Sequence, residues 1–208
     1  MSYDIEHFVK WIRANDLTPI LSIHSDDLEL LTHLDLSKRN LKDLPESIGV
    51  LKNLSVLKLS NNKLRKLPKA IGELKNLRNL QCENNLIEEL PTEIGNLSNL
   101  MILNLNVNRL KTLPKGFYDL KSLTRLTLAA NRIEKLDEDF KKLSKLLYLS
   151  LETNELEELP SSLSKIKELE TLILEGNSLN ELPSLESHDM LLKLDLSDND
   201  LQSLDFDV

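Results

Sequence analysis

The stretch "LNLNVNRLKTLP", residues 103–114, is a short alternating segment followed by a turn and a proline. Nearly the same letters return as "LKLSNNKLRKLP" at 57–68 and "LSLETNELEELP" at 149–160. Aligned, they give eight units of the pattern L-x-x-L-x-L-x-x-N-x-L, which start at residues 31, 54, 77, 100, 123, 146, 169 and 191. Of the 40 fixed positions 38 match, with isoleucine accepted at the last one, so the repeat is not accidental; the exceptions are Arg39 and Cys82.

The spacing within each unit predicts a short strand. Leu34 and Leu36 lie two residues apart, so on an extended chain their side chains point to the same side. His33, Asp35 and Ser37 point to the other side. A single unit cannot bury its leucines alone, but stacked neighbours can. The sequence therefore predicts parallel strands stacked as a solenoid, with a leucine core on one side and variable residues on the other.

An asparagine follows every strand but the first, at the point where the chain must turn inward. Its amide is predicted to satisfy buried backbone groups of its own coil and of the next coil. Each such group would cost about 1–3 kcal/mol if it were left unpaired, so the role of these residues is predicted to be structural. They form an asparagine ladder that consists of Asn62, Asn85, Asn108, Asn131, Asn154, Asn177 and Asn199.

Six of the eight units continue with Leu-Pro. Proline lacks a backbone donor and holds the preceding residue extended, which suits a return segment on the opposite face better than a strand ladder. Stretches such as "ESIGVLKN" (46–53) then space apolar residues three apart, as in one short helical turn. Gly49, Gly72 and Gly95 are predicted to lie there where the backbone is tightly packed.

These motifs, from about residue 31 to residue 204, resemble the leucine-rich repeat family. The motif "LPxxIGxLxNL" resembles that of the 23-residue repeat class, which occurs in intracellular Ras-group and scaffold-type proteins and in their bacterial relatives. The resemblance implies an α/β fold, a curved solenoid with a parallel β-sheet on the concave face and short helical (3-10) and extended segments on the convex face. It also implies that the concave face binds other macromolecules. The cysteine-rich caps of secreted members, and the shorter repeat and catalytic domain of the injected bacterial ubiquitin ligases, do not occur in this sequence.

Residues 1–30 are predicted to form an N-terminal helical cap on the repeats, which take up residues 31–208. An open solenoid exposes its core, so the first coil needs a cover. An amphipathic helix over residues 3–15 is predicted to supply it, because apolar side chains recur at helical spacing with a tryptophan alongside. These side chains are Ile5, Phe8, Val9, Trp11 and Ile12.

The C-terminal end has a thinner cover in the sequence. After the last unit, Phe206 is the only large apolar residue available to shield the final coil. Two expectations follow. Either the native protein continues beyond this end, or the edge of the last coil meets a partner or a second copy of the chain.

Charge and composition limit the functions that this chain can have. The net charge of −8 divides into −3 over residues 1–53, +7 over 54–145 and −12 over 146–208. Such an uneven distribution can steer the approach of a partner, but it is only weak evidence for nucleic-acid binding. No apolar run approaches the roughly 20 residues that span a bilayer, and the N-terminus lacks the pattern of an export signal. A single cysteine permits no internal disulfide, so the sequence predicts a cytoplasmic protein that does not bind membranes. Export as an effector without a signal stays open.

No constellation typical of catalysis occurs in the sequence. His7, His24, His33 and His188 lack metal-ligand spacing, and there is no zinc-protease, hydrolase or phosphate-loop motif. Cys82 occupies an inward leucine position, which predicts a buried thiol and not a nucleophile. The sequence therefore predicts no enzyme activity, no metal and no cofactor.

Outward strand positions form columns across the sheet, and these columns carry the variable residues. Eight strands about 4.8 Å apart make a surface about 35–40 Å wide, enough for a protein domain or a long peptide. An aromatic residue and an arginine among small and aliphatic residues are typical of a binding hot spot, although scattered exposed apolar residues are common on any surface. The predicted binding set is Ile102, Asn104, Val107, Arg125, Thr127, Tyr148, Ser150, Glu152, Ile173 and Glu175.

The leading hypothesis is a non-catalytic module that binds a protein or peptide through its concave face. Nucleic-acid binding would need basic and aromatic residues on that face, but there Lys58, Arg125 and Lys193 are offset by glutamates. Regulation of a catalytic partner would use the same surface, and the sequence does not separate it from scaffolding. The remaining alternative is a regulatory or recognition fragment of a larger protein, such as a bacterial effector or a signalling scaffold, whose activity lies elsewhere.

Overall fold

The computed structural model describes residues 3–17, 28, 30–185 and 187–202. One α-helix, α1, spans Tyr3–Ala14 and is followed by eight three-residue strands. Six of the segments between strands contain a 3-10 turn, at Glu46–Val50, Lys69–Glu73, Thr92–Asn96, Lys115–Asp119, Glu138–Lys142 and Ser161–Lys165. The strands are β1 His33–Asp35, β2 Val56–Lys58, β3 Asn79–Gln81, β4 Ile102–Asn104, β5 Arg125–Thr127, β6 Tyr148–Ser150, β7 Thr171–Ile173 and β8 Lys193–Asp195.

All eight strands belong to one open parallel sheet in which each strand pairs with the next along the chain. The pairing register follows the repeat, so that Leu103 of β4 lies opposite Leu126 of β5 and Leu126 opposite Leu149 of β6. One coil is therefore one repeat, and stacking the coils builds a curved solenoid. This confirms the predicted fold.

Leucine fills the inner side of the sheet. The central leucine of each of the first seven strands is at most 3% exposed, and the core continues through Phe117 and Phe140, which are fully buried. Helix α1 covers the first coil: Ile5, Phe8 and Ile12 are at most 6% exposed, and the helix contacts the 3-10 turn at Glu46–Val50. The predicted N-terminal helix is thus present, while the division into a cap of residues 1–30 and repeats of 31–208 stays a prediction.

The convex side is built from the predicted return segments. Pro45, Pro68, Pro91, Pro114 and Pro160 are each extended and each precedes a 3-10 turn. Successive turns pack backbone against backbone. A Cβ on Gly95 would lie 1.9 Å from the carbonyl oxygen of Gly116, and one on Gly72 would lie 2.3 Å from that of Glu93, which explains glycine at these positions.

The asparagine ladder joins neighbouring coils, but in the opposite direction to the one predicted. Asn108 Nδ2 donates to the carbonyl oxygens of Leu105 in its own coil and Cys82 in the preceding coil, both at 3.0 Å. Its Oδ1 accepts from the backbone N–H of Ile87, also in the preceding coil, at 2.9 Å. The prediction that the amide serves the next coil is wrong, because the backbone N–H groups of Val107 and Asn108 already donate to that coil.

This direction explains the one missing asparagine. Asn62 Oδ1 accepts from the backbone N–H groups of both Arg39 and Leu41, each at 3.0 Å. Among the described residues it is helix α1, and not a repeat coil, that precedes the first repeat, so a ladder asparagine at residue 39 would have no repeat backbone there to serve.

The last coil is less completely buried than the interior coils. Leu194, Leu196 and Leu201 are half-buried, while Leu192 is 86% and Met190 55% exposed. Phe206, the predicted cover of this coil, lies outside the described residues.

Candidate functional site

The side of the sheet opposite the leucine core, called here the concave face, carries residues in three columns. The first and third residues of every strand point to it, and pairing in register places each beside its counterpart one coil away. The third column lies two residues after each strand, where each carbonyl accepts a backbone N–H from the preceding coil, as Glu175 O does from Thr153 at 2.7 Å. The first column is His33, Val56, Asn79, Ile102, Arg125, Tyr148, Thr171 and Lys193.

A hollow of about 430 Å³ lies on this face over strands β3 to β6. Seven of the ten predicted binding residues line it, and three, Val107, Ile173 and Glu175, do not. The seven residues that the structure brings together are Ile102, Asn104, Arg125, Thr127, Tyr148, Ser150 and Glu152. Most of the predicted set therefore converges on one place.

Arg125 and Tyr148 form a stacked pair inside the hollow. They are in-register partners on adjacent strands, and the guanidinium carbon lies 3.6 Å from the centre of the phenol ring. Such a cation–π contact fixes a long side chain without neutralising its charge. The result is a positioned positive charge with its in-plane N–H donors available.

Amide side chains form a second part of the hollow that the predicted set mostly missed. Asn79, Gln81 and Asn106 line it together with the predicted Asn104. Asn104 Oδ1 accepts from Thr127 Oγ1 at 2.9 Å and from the backbone N–H of Asn106 at 3.1 Å. Asn106 Oδ1 accepts from the backbone N–H of Ala129 at 2.8 Å. Engaging both carbonyl oxygens orients the two amide groups.

Three of the predicted binding residues offer little surface. Thr127, Ser150 and Ile173, third residues of β5, β6 and β7, are 8%, 4% and 6% exposed. They lie in the middle column, which the two flanking columns border on a concave surface. Direct contact with a partner would therefore fall mainly on the flanking columns.

Val107 lies in the turn after β4, outside the strand columns. It is 50% exposed and has a φ of +54°, in the left-handed region. Equivalent positions hold Asn61 and Asn84, and asparagine is much easier to place there than a β-branched residue. Val107 is thus an exposed apolar side chain on a strained backbone.

The third column carries three glutamates. Glu152 and Glu175 lie side by side on successive coils, and among the described residues neither forms an ion pair. Glu83, three coils earlier than Glu152, has a buried Oε2 without a hydrogen-bond partner. Like charges in adjacent register positions repel, so this side of the concave face attracts cations.

The N-terminal end of the concave face carries a pair of opposite charges. Asp35 lies 3.9 Å from Lys58 and accepts from the backbone N–H of Ser37 at 2.9 Å. Burial acts to raise the pKa of Asp35, but the hydrogen bonds from Ser37 and the charge of Lys58 hold it below its ordinary value. Charges at this end are thus matched within the protein, unlike those of the central hollow.

Cys82 is fully buried, as its leucine position predicts. Burial, and then the charge of Glu83, raises the pKa of its thiol. A protonated thiol in the core is a packing group and not a nucleophile. Within the described part of the chain no three His, Cys, Asp or Glu side chains come together as a metal site, and none of its helices has the length and apolar character to cross a membrane.

Two family models of leucine-rich repeats match this sequence. "Leucine rich repeat" matches residues 29–87 and 122–179, and "Leucine-rich repeat region" matches residues 69–138. Together they extend over the same part of the chain as strands β1 to β7. No significant match exists among curated proteins.

Several solved structures share the fold. An LRR protein of Leptospira interrogans is 36% identical, with a TM-score of 0.79 over 85% of this chain and 51% of its own. The ectodomain of an Arabidopsis thaliana membrane receptor kinase, GASSHO1/SCHENGEN3, solved in complex with CASPARIAN STRIP INTEGRITY FACTOR 2, is 32% identical, with a TM-score of 0.65 over 74% of this chain and 20% of its own. An internalin of Listeria monocytogenes, at 24% identity, shows the fold alone, with a TM-score of 0.70 over 82% of this chain and 48% of its own. This chain thus spans about half or less of each of them.

Proposed function

This chain belongs to the leucine-rich repeat family, and on that premise we propose that it is a non-catalytic module that binds a protein or peptide through its concave face. Proteins of this family typically mediate protein–protein interaction, and the plant receptor ectodomain was solved with its ligand bound. The observation that carries the proposal is the hollow over β3 to β6, in which Arg125 is stacked on Tyr148. Arginine and tyrosine are the residue types that dominate binding energy at interfaces.

The composition of the face favours protein over nucleic acid. A phosphate backbone requires several basic side chains on one surface. Arg125 is the single cation among the residues that line the hollow, which also include Glu152. With the neighbouring Glu175 and the more distant Glu83, this face would repel a polyanion.

The test begins with a partner captured from the source cell and compares variants of the two faces. Arg125→Ala and Tyr148→Ala are each expected to weaken binding of that partner by about 2 kcal/mol or more, roughly thirtyfold in affinity, because they remove hot-spot side chains. Lys69→Ala and Lys115→Ala, in 3-10 turns on the convex side, are the matched controls and should leave the affinity unchanged. Loss of binding in the convex variants, with none in the concave pair, would overturn the proposal.

The exposed Met190 and Leu192 support a second, smaller contact at the C-terminal edge, made by another copy of the chain. Leu192→Glu should abolish any concentration-dependent association seen by sedimentation and leave binding at the concave face intact. Association that persists unchanged in this variant would contradict the edge contact. We also propose a cytoplasmic location. The alternative function is that of a recognition part of a larger protein whose activity lies elsewhere.

A further inference from the structure

Arg125 is positioned but not neutralised. On the same face Lys58, by contrast, lies 3.9 Å from Asp35. The ion pairs among the described residues do not include Arg125. Its guanidinium instead lies over the Tyr148 ring, an arrangement that restrains the side chain while its planar fork of donors stays free.

A hydrogen-bond donor lies near Arg125 on the neighbouring strand. The side-chain oxygen of Asn104, at the end of β4, is engaged by Thr127 Oγ1 and by the backbone N–H of Asn106. Its NH₂ group is therefore the end left to face a ligand in the hollow it lines. A fixed cation with an oriented amide beside it can donate to one carboxylate.

The opposite edge of the same hollow carries the reverse charge. Glu152 lines it, and Glu175 lies next to Glu152 on the following coil. From the strand spacing and the rise per residue, Arg125 and Glu152 are about 14 Å apart at their Cα atoms. An extended peptide covers that distance in about four residues.

We propose that the concave face recognises an extended peptide segment in which an acidic side chain binds Arg125 and a basic side chain, about three to five residues away, binds Glu152 and Glu175. This rests on the proposed function and names the chemistry of its partner. We assign the acidic group to an internal Asp or Glu of the peptide. The peptide's own C-terminal carboxylate has the same chemistry, and the second readout below separates the two.

The experiment selects peptides from a random twelve-residue library on the immobilised protein, with wild type, Arg125→Glu and Lys58→Glu in parallel. Wild type should enrich an acidic residue followed or preceded by a basic one at the stated spacing. Arg125→Glu should lose the acidic preference or reverse it. Lys58→Glu changes a cation on the same face that is already paired, so it should select the same peptides as wild type.

Affinities of a selected peptide give the second readout. Replacing its acidic residue by the matching amide, or Arg125 by Gln, should each weaken binding about tenfold to a hundredfold, and the two changes together should cost no more than either alone. Amidating the peptide's C-terminus should have no effect. A full loss on amidation would assign the carboxylate to the chain terminus and overturn the internal-residue assignment.

The outcomes separate this inference from the function it rests on. Peptides that need Tyr148 but show no acidic preference, or that bind Arg125→Glu equally well, would refute the charge chemistry and leave concave-face binding standing. Selection of no peptide, or only of peptides that bind the convex side, would refute both. Melting curves of every variant, taken first, show that differences in selection do not come from unfolding.

Discussion

The two sides of the sheet differ in how much their residue types vary from coil to coil. On the inner side Leu103, Leu126 and Leu149 are in register on successive strands and at most 1% exposed. One residue earlier on the same strands, facing outward, Ile102, Arg125 and Tyr148 are aliphatic, cationic and aromatic. The inner side repeats because each coil must fit its neighbours. In the part of the chain that the structure describes, no further layer packs on the outer side, so its residues can vary to fit a partner without altering the stack.

Among the hydrogen-bonding and turn residues, the largest predicted effect is on the asparagine ladder that holds the inner side. Asn108→Ala would leave Ile87 N–H and the carbonyls of Cys82 and Leu105 without this partner, which should cost about 3 kcal/mol of unfolding free energy. Asn106→Ala is the matched control two residues away on the outer side. It loses one bond, to Ala129 N–H, and should cost about 1 kcal/mol. Equal losses in urea denaturation would remove the distinction between the two sides.

A somewhat smaller effect is predicted where convex turns touch. Gly95→Ala would place a Cβ 1.9 Å from the Gly116 carbonyl oxygen, so one turn must shift, at a cost of about 2 kcal/mol. Gly49→Ala, two coils closer to the N-terminus, is the milder counterpart. Its Cβ would meet the end of the flexible Glu73 side chain at 2.9 Å and the Cβ of Ala70 at 3.2 Å, and no backbone atom is among these contacts. Thermal melts should show a clear drop for Gly95→Ala and a smaller one for Gly49→Ala. The reverse order would mean that the convex packing is misassigned.

The smallest effect should be a gain in stability. Val107→Asn puts at a φ of +54° a residue type that tolerates this conformation, as in two other coils, and should stabilise the fold by about 1 kcal/mol. If Val107 also contacts the partner, as the predicted binding set has it, the same change weakens binding while it raises the melting temperature. A lower melting temperature would contradict the assignment of strain.

Most of the fold could be predicted from the sequence because repetition makes each unit evidence for the others. The leucine spacing predicted the sides of the strands, and the 23-residue period predicted which strands are neighbours. The direction of the asparagine bonds could not be predicted, since the repeat pattern does not distinguish the preceding coil from the next. The direction depends on which coil already accepts hydrogen bonds from the backbone N–H groups of the turn, as those of Val107 and Asn108 donate to the next coil.

The candidate site was predicted less completely, for two physical reasons. Alternation along a strand assigns Thr127, Ser150 and Ile173 to the outer side, but it does not show that they are buried there, because exposure on a curved surface depends on the flanking columns. The amides of Asn79 and Asn106 occupy outward positions, but the predicted set was centred on Arg125, Tyr148 and the aliphatic residues around them, and it included Asn104 as its one amide. The contact between Arg125 and Tyr148 could have been predicted from the sequence, because residues one repeat period apart are neighbours in a column.

The most direct measurement of the separation between the two sides uses adjacent residues of one strand. Leu149 points inward and is fully buried, while Tyr148 points outward in the same strand. Leu149→Ala is predicted to lower the free energy of unfolding by about 2–5 kcal/mol through the cavity it leaves. Tyr148→Ala is predicted to lower it by less than about 1 kcal/mol, the worth of an exposed cation–π contact. Comparable losses for the two variants in urea denaturation would contradict the claim that the inner side carries the fold and the outer side is free for recognition.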